Sequence, residues 1–85
     1  MKDLEGLRQE IDEIDEALCA CLARRFAVVR AIGEIKKEKG LPILNEGREK
    51  AVLDKVRALA PTPEESEAFA AVYQTVMAEA KKLEK

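Results

Sequence analysis

An apolar repeat with alternating spacings of three and four residues is the feature that most constrains how this chain can fold. It runs through Leu4, Leu7, Ile11, Ile14, Leu18, Cys21, position 25, Val28, Ile32 and Ile35, which we call the apolar seam. Such a spacing, kept over more than four heptads, is typical of one long helix that packs lengthwise against another. With Gly40 as a C-cap, the pattern predicts helix over 3–39. Gly33 lies inside this helix and is expected to weaken it by only about 1 kcal/mol relative to alanine.

Two shorter helices are predicted after Gly40. The segment Thr62-Pro63-Glu64-Glu65 has the form of a capping box with proline in the first helical position, and it predicts a helix over 63–84. The apolar face of that helix consists of Phe69, Val72, Tyr73, Val76, Met77, Ala80 and Leu83. With Asn45 as N-cap, a weaker pattern predicts a helix over 46–60, whose apolar residues are Val52, Leu53, Val56 and Leu59. The expected fold class is all-α, with three helices in a single domain over residues 1–85.

The length of the first helix indicates that a second chain covers part of it. A helix of about 36 residues extends over about 54 Å. A compact domain of 85 residues has a diameter of only about 30 Å. Because the apolar seam continues to both ends of the helix, another surface must cover it, and a self-complementary homodimer is the simplest solution.

The composition excludes several classes of function. The chain has no histidine, and hence no imidazole metal ligand, general base or Ser-His or Cys-His pair. Cys19 and Cys21 lie about 200° apart around a helix, so they share neither a metal nor a disulfide. We therefore expect no metal and no cofactor. A net charge of −2 is too balanced for binding nucleic acid or an anionic membrane through bulk charge. No apolar run approaches the ~18 residues of a transmembrane helix, and the charged start at residues 1–5 lacks the apolar core of a signal peptide, so we expect a cytoplasmic protein.

Several charged side chains lie where apolar ones are expected. Arg25 is the only charged member of the apolar seam, and a buried guanidinium without a partner is costly. Lys36 follows Arg25 by 11 residues and faces the same way, since that spacing is about 20° from three full turns. Other charged residues on or beside apolar faces are Arg8, Arg48, Glu49 and Glu84. Together these residues favour a small polyanionic ligand held in a mostly apolar helical core.

Each of these residues also has a plainer interpretation. A single arginine in an apolar seam commonly pairs with a glutamate of its own chain, or extends its guanidinium to water. Taken singly, Lys36, Arg8 and Arg48 fit solvated helix surfaces, and Glu84 fits a frayed C-terminus. The spacing alone does not identify a ligand.

Segments over nearly the whole chain resemble the helical, AroQ-class chorismate mutases. The segment LRQEIDEID at 7–15 resembles the opening of that family's first helix, and LARRFAVV at 22–29 with IGEIK at 32–36 resembles its middle. The segments GLPI at 40–43 and NEGRE at 45–49 resemble its loop and the start of its second helix. The similarity is most specific up to residue 53. From residue 60 onward it rests on the helical pattern and on Tyr73-Gln74.

The resemblance implies an intertwined, all-helical homodimer with two equivalent sites, which converts chorismate to prephenate on the route to phenylalanine and tyrosine. Arg8, Arg25, Lys36, Arg48 and Glu49 match the family's binding residues by position. On this basis Arg8 and Arg25 bind the substrate carboxylates, and Lys36 binds the ether oxygen and a carboxylate. Glu49 binds the ring hydroxyl, and Arg48 adds positive field and orientation.

Three positions depart from the family pattern. Asn45 stands where the family often has aspartate, and we expect backbone contacts to keep its role on the hydroxyl side of the substrate. Ala80 stands where some members have serine, so one hydroxyl contact to a carboxylate is expected to be missing. Glu84 stands where many members have glutamine. A carboxylic acid donates to the ether oxygen only when protonated, so this role predicts activity that rises toward mildly acidic pH.

Arg8 and Arg25 cannot touch one small ligand from the same chain. They are 17 residues apart, which is about 25 Å along one helix, so a site that uses both takes Arg8 of the partner subunit. Two alternatives remain open: an isochorismate–pyruvate lyase of the same fold, and a non-catalytic dimeric helical interaction or regulatory module. The Arg48-Glu49 pair favours the mutase over the lyase, and the charge at Arg25 counts against the module.

Overall fold

The computed structural model describes residues 3–84 and folds them into three helices. These are α1, Leu4–Lys39; α2, Glu46–Leu59; and α3, Pro63–Leu83. There is no strand within the described range, which confirms the predicted all-α class. The predicted bounds are one residue too long at the start of α1 and at the ends of α2 and α3, where Asp3, Ala60 and Glu84 take cap positions. None of the helices in residues 3–84 combines the length and apolarity needed to cross a membrane.

Each helix is capped at its start by a side-chain oxygen. This oxygen accepts a backbone N–H of the first turn that has no partner within the helix. The pairs are Asp3 with Gly6 at 2.8 Å, Asn45 with Arg48 at 3.0 Å and Thr62 with Glu65 at 3.1 Å. The predicted caps at Asn45 and Thr62 are thereby confirmed. Gly40 ends α1 with a φ of 67°, in the left-handed region that favours glycine, and this confirms the predicted C-cap.

Helix α1 extends well beyond the elements that pack against it. The chain measures 56 × 26 × 15 Å and has a radius of gyration of 16.1 Å, whereas a compact domain of this length has about 12 Å. The Leu, Ile and Val side chains of the apolar seam are 42–64% exposed. The seam is therefore uncovered within residues 3–84, and the homodimer stays a prediction.

The core is small and lies where α3 packs on α2 and on the C-terminal half of α1. Its buried side chains are Val56, Ala70, Met77 and Ala80. Three residues predicted for the apolar faces are instead exposed: Leu59 at 65%, Val72 at 61% and Phe69 at 36%. Val72 lies about 200° around α3 from the buried Ala70 and so points away from α2. Leu59 is the last residue of α2, where the chain turns toward α3.

Gly33 lets α1 and the end of α3 approach closely. It is buried, and a Cβ at this position would lie 2.7 Å from the carbonyl oxygen of Glu84 and 2.9 Å from its Cα. Both are backbone atoms, and they cannot move aside as easily as the end of a flexible side chain. Gly33 therefore has a packing role beyond its expected effect on helix propensity, because its missing side chain allows the close approach of the two segments.

We expect Gly33→Ala to lower the free energy of unfolding by roughly 1–3 kcal/mol, because overpacking against Glu84 outweighs the gain in helix propensity of about 1 kcal/mol. Gly47→Ala is the matched control, since a Cβ there would meet only the Asn45 Oδ1, at 3.6 Å. The control should be as stable as the parent or more so. Urea unfolding measures both, and a Gly33→Ala variant as stable as the parent would contradict the close approach.

Candidate functional site

A cavity of about 330 Å³ lies where the C-terminal half of α1, the loop after it, the start of α2 and the end of α3 converge. Its apolar walls include Val29, Ile32, Ile43, Val52, Met77 and Ala80. Its charged lining residues are Arg25, Lys36, Arg48, Lys81, Glu49 and Glu84, and Asn45 also lines it. The structure thus brings together every predicted site residue except Arg8. The size suits a small molecule, since ligand pockets begin at about 300 Å³.

The charges around the cavity are unequal. Four cationic side chains face two carboxylates, which leaves two net positive charges on a lining that is otherwise largely apolar. A small dianion is therefore the ligand whose charge balances this excess.

Lys36 is held at the centre of the site by two oxygen atoms. Its Nζ donates to Oε1 of Glu84 at 2.6 Å and to the carbonyl oxygen of Ile43 at 2.8 Å. The Glu84 side chain is 8% exposed, so it is an ordered member of the site, and the frayed-terminus interpretation is wrong. An ammonium group has three donors, so one N–H of Lys36 is left for a ligand.

Arg25 carries an unsatisfied donor. Its guanidinium lies over the ring of Tyr73, with Cζ 5.5 Å from the ring centroid. The Nη1 atom is buried and has no hydrogen-bond partner within the described residues. A buried charged donor without a partner is costly, so this geometry points to an acceptor that a ligand would supply.

The first turn of α2 presents three of the predicted residues to the cavity. The Asn45 side-chain oxygen is engaged in capping, because it accepts the backbone N–H of Arg48. Arg48 is exposed at the cavity wall. Oε2 of Glu49 lies 3.1 Å from Nζ of Lys81, and the Glu49 side chain is 28% exposed.

Arg8 lies apart from this cavity. It is exposed on the N-terminal part of α1 and does not line the cavity. Arg8 and Arg25 both belong to α1, and their separation of 17 residues is about 25 Å along the helix axis. That it reaches a site on a second copy stays a prediction.

Lys81 also lines the cavity, although it was not among the predicted site residues. A signal was present, because Lys81 follows the apolar residue Met77 by four positions and therefore shares its face of α3. Within residues 3–84 no group of three or more His, Cys, Asp or Glu side chains is placed to hold a metal ion. Cys19 and Cys21 are both free and exposed.

The sequence profile of the type II chorismate mutases matches residues 7–85, which is nearly the whole chain. This chain belongs to the type II chorismate mutase family. A chorismate mutase of Methanocaldococcus jannaschii is 36% identical over 59 residues, which are 69% of this chain and 60% of that protein. A bifunctional chorismate mutase/prephenate dehydratase of Aquifex aeolicus is 41% identical over 59 residues, 69% of this chain but only 16% of that protein.

A solved structure has the same architecture as this chorismate mutase family member. It is a conserved hypothetical protein from Pyrococcus furiosus, with a TM-score of 0.79 and 32% sequence identity. The match covers 96% of this chain and 95% of that one. The fold is therefore shared over nearly the whole chain.

We expect Arg25→Leu to leave the free energy of unfolding unchanged or to raise it by about 1 kcal/mol, because it removes a buried, unpaired donor while losing the contact with Tyr73. Arg24→Leu, at the exposed neighbouring position, controls for the change in net charge and should shift stability by less than about 0.5 kcal/mol. Denaturant unfolding of the ligand-free protein gives both values. A loss of more than about 2 kcal/mol in Arg25→Leu alone would show that the guanidinium is satisfied within the fold.

Proposed function

We propose that this chain is a chorismate mutase, which rearranges chorismate to prephenate within a homodimer. The observation that carries the proposal is the cavity, which has two net positive charges and a buried Arg25 Nη1 with no hydrogen-bond partner among residues 3–84. Chorismate is a small dianion, with two carboxylates, a ring hydroxyl and an enolpyruvyl ether. Membership in the type II chorismate mutase family supports the same substrate.

The reaction suits a site built only from binding groups. The rearrangement is a unimolecular pericyclic step, in which the ether C–O bond breaks while a new C–C bond forms. It requires no nucleophile and no proton transfer. A protein accelerates it by holding the folded diaxial conformer and by stabilising negative charge on the ether oxygen. Cationic and hydrogen-bonding side chains fixed on helices supply both effects.

The cations of α1 are proposed to hold the reacting end of the substrate. Arg25 offers its free Nη1 to one carboxylate, since a guanidinium binds carboxylates through two parallel hydrogen bonds. Lys36 directs its third N–H at the ether oxygen and a carboxylate, and its bonds to Glu84 and Ile43 keep the ammonium group in place. The contact of Lys36 with the ether oxygen strengthens as the C–O bond breaks, so it acts on the transition state.

The first turn of α2 is proposed to hold the ring. Glu49 accepts a hydrogen bond from the ring hydroxyl, and the adjacent Arg48 adds positive field and orientation. The side-chain oxygen of Asn45 accepts the backbone N–H of Arg48 in the helix cap. Asn45 is therefore proposed to contact the substrate near its hydroxyl through backbone atoms. Ala80 lines the cavity without a hydroxyl group, and no contact to a carboxylate is assigned to it.

A second copy of the chain is proposed to complete each site. The apolar seam of α1 is uncovered along its length within residues 3–84, and burying it between two copies removes apolar area from water. Arg8 of the partner subunit then reaches the second carboxylate of chorismate. Each homodimer carries two equivalent sites, and a folded monomer lacks activity.

The test is to supply purified protein with chorismate, to follow substrate loss, and to identify the product. We expect prephenate, with kcat/KM lowered roughly 100- to 1,000-fold in Arg25→Ala, since a charged donor aimed at the substrate is lost. Arg24→Ala is the matched control and should retain full activity. Salicylate and pyruvate from isochorismate, with chorismate untouched, would instead identify a lyase. A folded dimer that turns over neither substrate would contradict an enzymatic role.

Glu84 gives this enzyme a predicted dependence on pH. Its carboxylate accepts from Lys36, and only its protonated form donates a hydrogen bond to the ether oxygen. We expect kcat/KM of the parent to rise from pH 8 toward pH 5. Glu84→Gln should be roughly tenfold more active than the parent at pH 7.5 and nearly independent of pH, because an amide donates at every pH. A flat parent profile over the same range would refute a role for Glu84 at the ether oxygen.

A further inference from the structure

We infer that Lys81 is a positioning residue, which holds the Glu49 carboxylate in the orientation that receives the substrate's ring hydroxyl. This inference rests on the proposed function and deepens it. Lys81 stands on α3 and Glu49 on the first turn of α2, so the contact ties together two walls of the cavity. Neither the family resemblance nor the helical pattern assigned a role to Lys81.

The geometry leaves one carboxylate oxygen of Glu49 for a ligand. Nζ of Lys81 lies 3.1 Å from Oε2 of Glu49, and both residues line the same cavity. A carboxylate has two oxygens that accept independently, so an anchor on Oε2 directs Oε1 toward a donor. The start of a helix also favours a negative side chain there.

Stability does not account for this ion pair. The two side chains are 37% and 28% exposed, and pairs of such exposure contribute about 0–1 kcal/mol because water screens them. A comparable pair, Lys82 with Glu79, also at 3.1 Å, lies on the solvent side of the same helix at 69% and 52% exposure. Of the two neighbouring lysines, only Lys81 lines the cavity, and its partner is the residue proposed to bind substrate.

Lys81 also enters the charge balance of the site. The other lining residues contributed by α3 and its C-cap are Met77, Ala80 and Glu84, of which none is a cation. Without Lys81, no cation of α3 would lie beside the Glu49 carboxylate to offset its negative charge when a dianion binds. Holding Glu49 by a salt link therefore also reduces its repulsion of the substrate.

Lys81→Gln, Lys81→Arg and Lys82→Gln, assayed with chorismate, test the inference. We expect kcat/KM to fall about tenfold in Lys81→Gln, because a misplaced binding group loses the aligned conformer. Lys81→Arg, which keeps the charge and reach, should recover at least about half of the parent activity. Lys82→Gln makes the same charge change on the outer face and should stay within about twofold of the parent. Equal melting temperatures of the two glutamine variants separate this effect from unfolding.

A double-mutant cycle with Glu49→Gln identifies the route of the effect. If Lys81 acts through Glu49, adding Lys81→Gln to the Glu49→Gln variant should lower kcat/KM by less than about twofold. A full tenfold loss there would mean that Lys81 touches the substrate directly, and would overturn the positioning role. The positioning role would also be overturned if the parent is active and Lys81→Gln and Lys82→Gln have the same kcat/KM. A parent that does not turn over chorismate would overturn the proposed function, and this inference with it.

Discussion

The mismatch between the length of α1 and the small body that packs on it is the constraint on which the rest of the structure depends. A helix of 36 residues is about 54 Å long, and its half-buried or buried positions are concentrated in its C-terminal half. They include Leu22, Phe26, Val29, Gly33 and Lys36, which recur every three or four residues and lie beside the apolar seam. The N-terminal half of α1 continues the apolar seam, but its apolar side chains are exposed within residues 3–84. A long helix of this kind is unfavourable in water unless a second surface supplies the missing burial.

The candidate site lies at the C-terminal end of this helix because three chain segments meet there. Gly33 permits the backbone of Glu84 to come close, and that approach brings the Glu84 carboxylate to Lys36. The turn at Gly40 then returns the chain so that the Ile43 carbonyl reaches the same ammonium group. The cavity is thus framed by backbone contacts and by two ion pairs, Lys36 with Glu84 and Lys81 with Glu49. Its other two cations, Arg25 and Arg48, have no ion-pair partner within residues 3–84 and are left to meet a ligand. Such an arrangement gives up some stability in the empty protein in exchange for affinity toward an anion.

Much of the fold was predictable, because it depends on local rules. The caps at Asn45, Thr62 and Gly40 follow from side-chain and backbone chemistry within a few residues. The common orientation of Arg25 and Lys36 follows from the helical repeat alone, and both line the same cavity. What the sequence did not predict depends on distances between helices. The close approach at Gly33 and the pairing of Lys81 with Glu49 require the angle and offset of α3 against its neighbours, which no spacing along one helix specifies.

The claim that each site is shared between two copies is tested most directly by complementation between Arg8→Ala and Arg25→Ala. Each variant alone forms only defective sites. After the two are unfolded together and refolded, a mixed dimer joins an intact Arg8 to an intact Arg25 at one of its two sites. The account predicts that the mixture recovers roughly a quarter of parental chorismate mutase activity, since about half of the dimers are mixed and each has one complete site. A mixture in which mixed dimers are present but no more active than the separate variants would contradict the shared site.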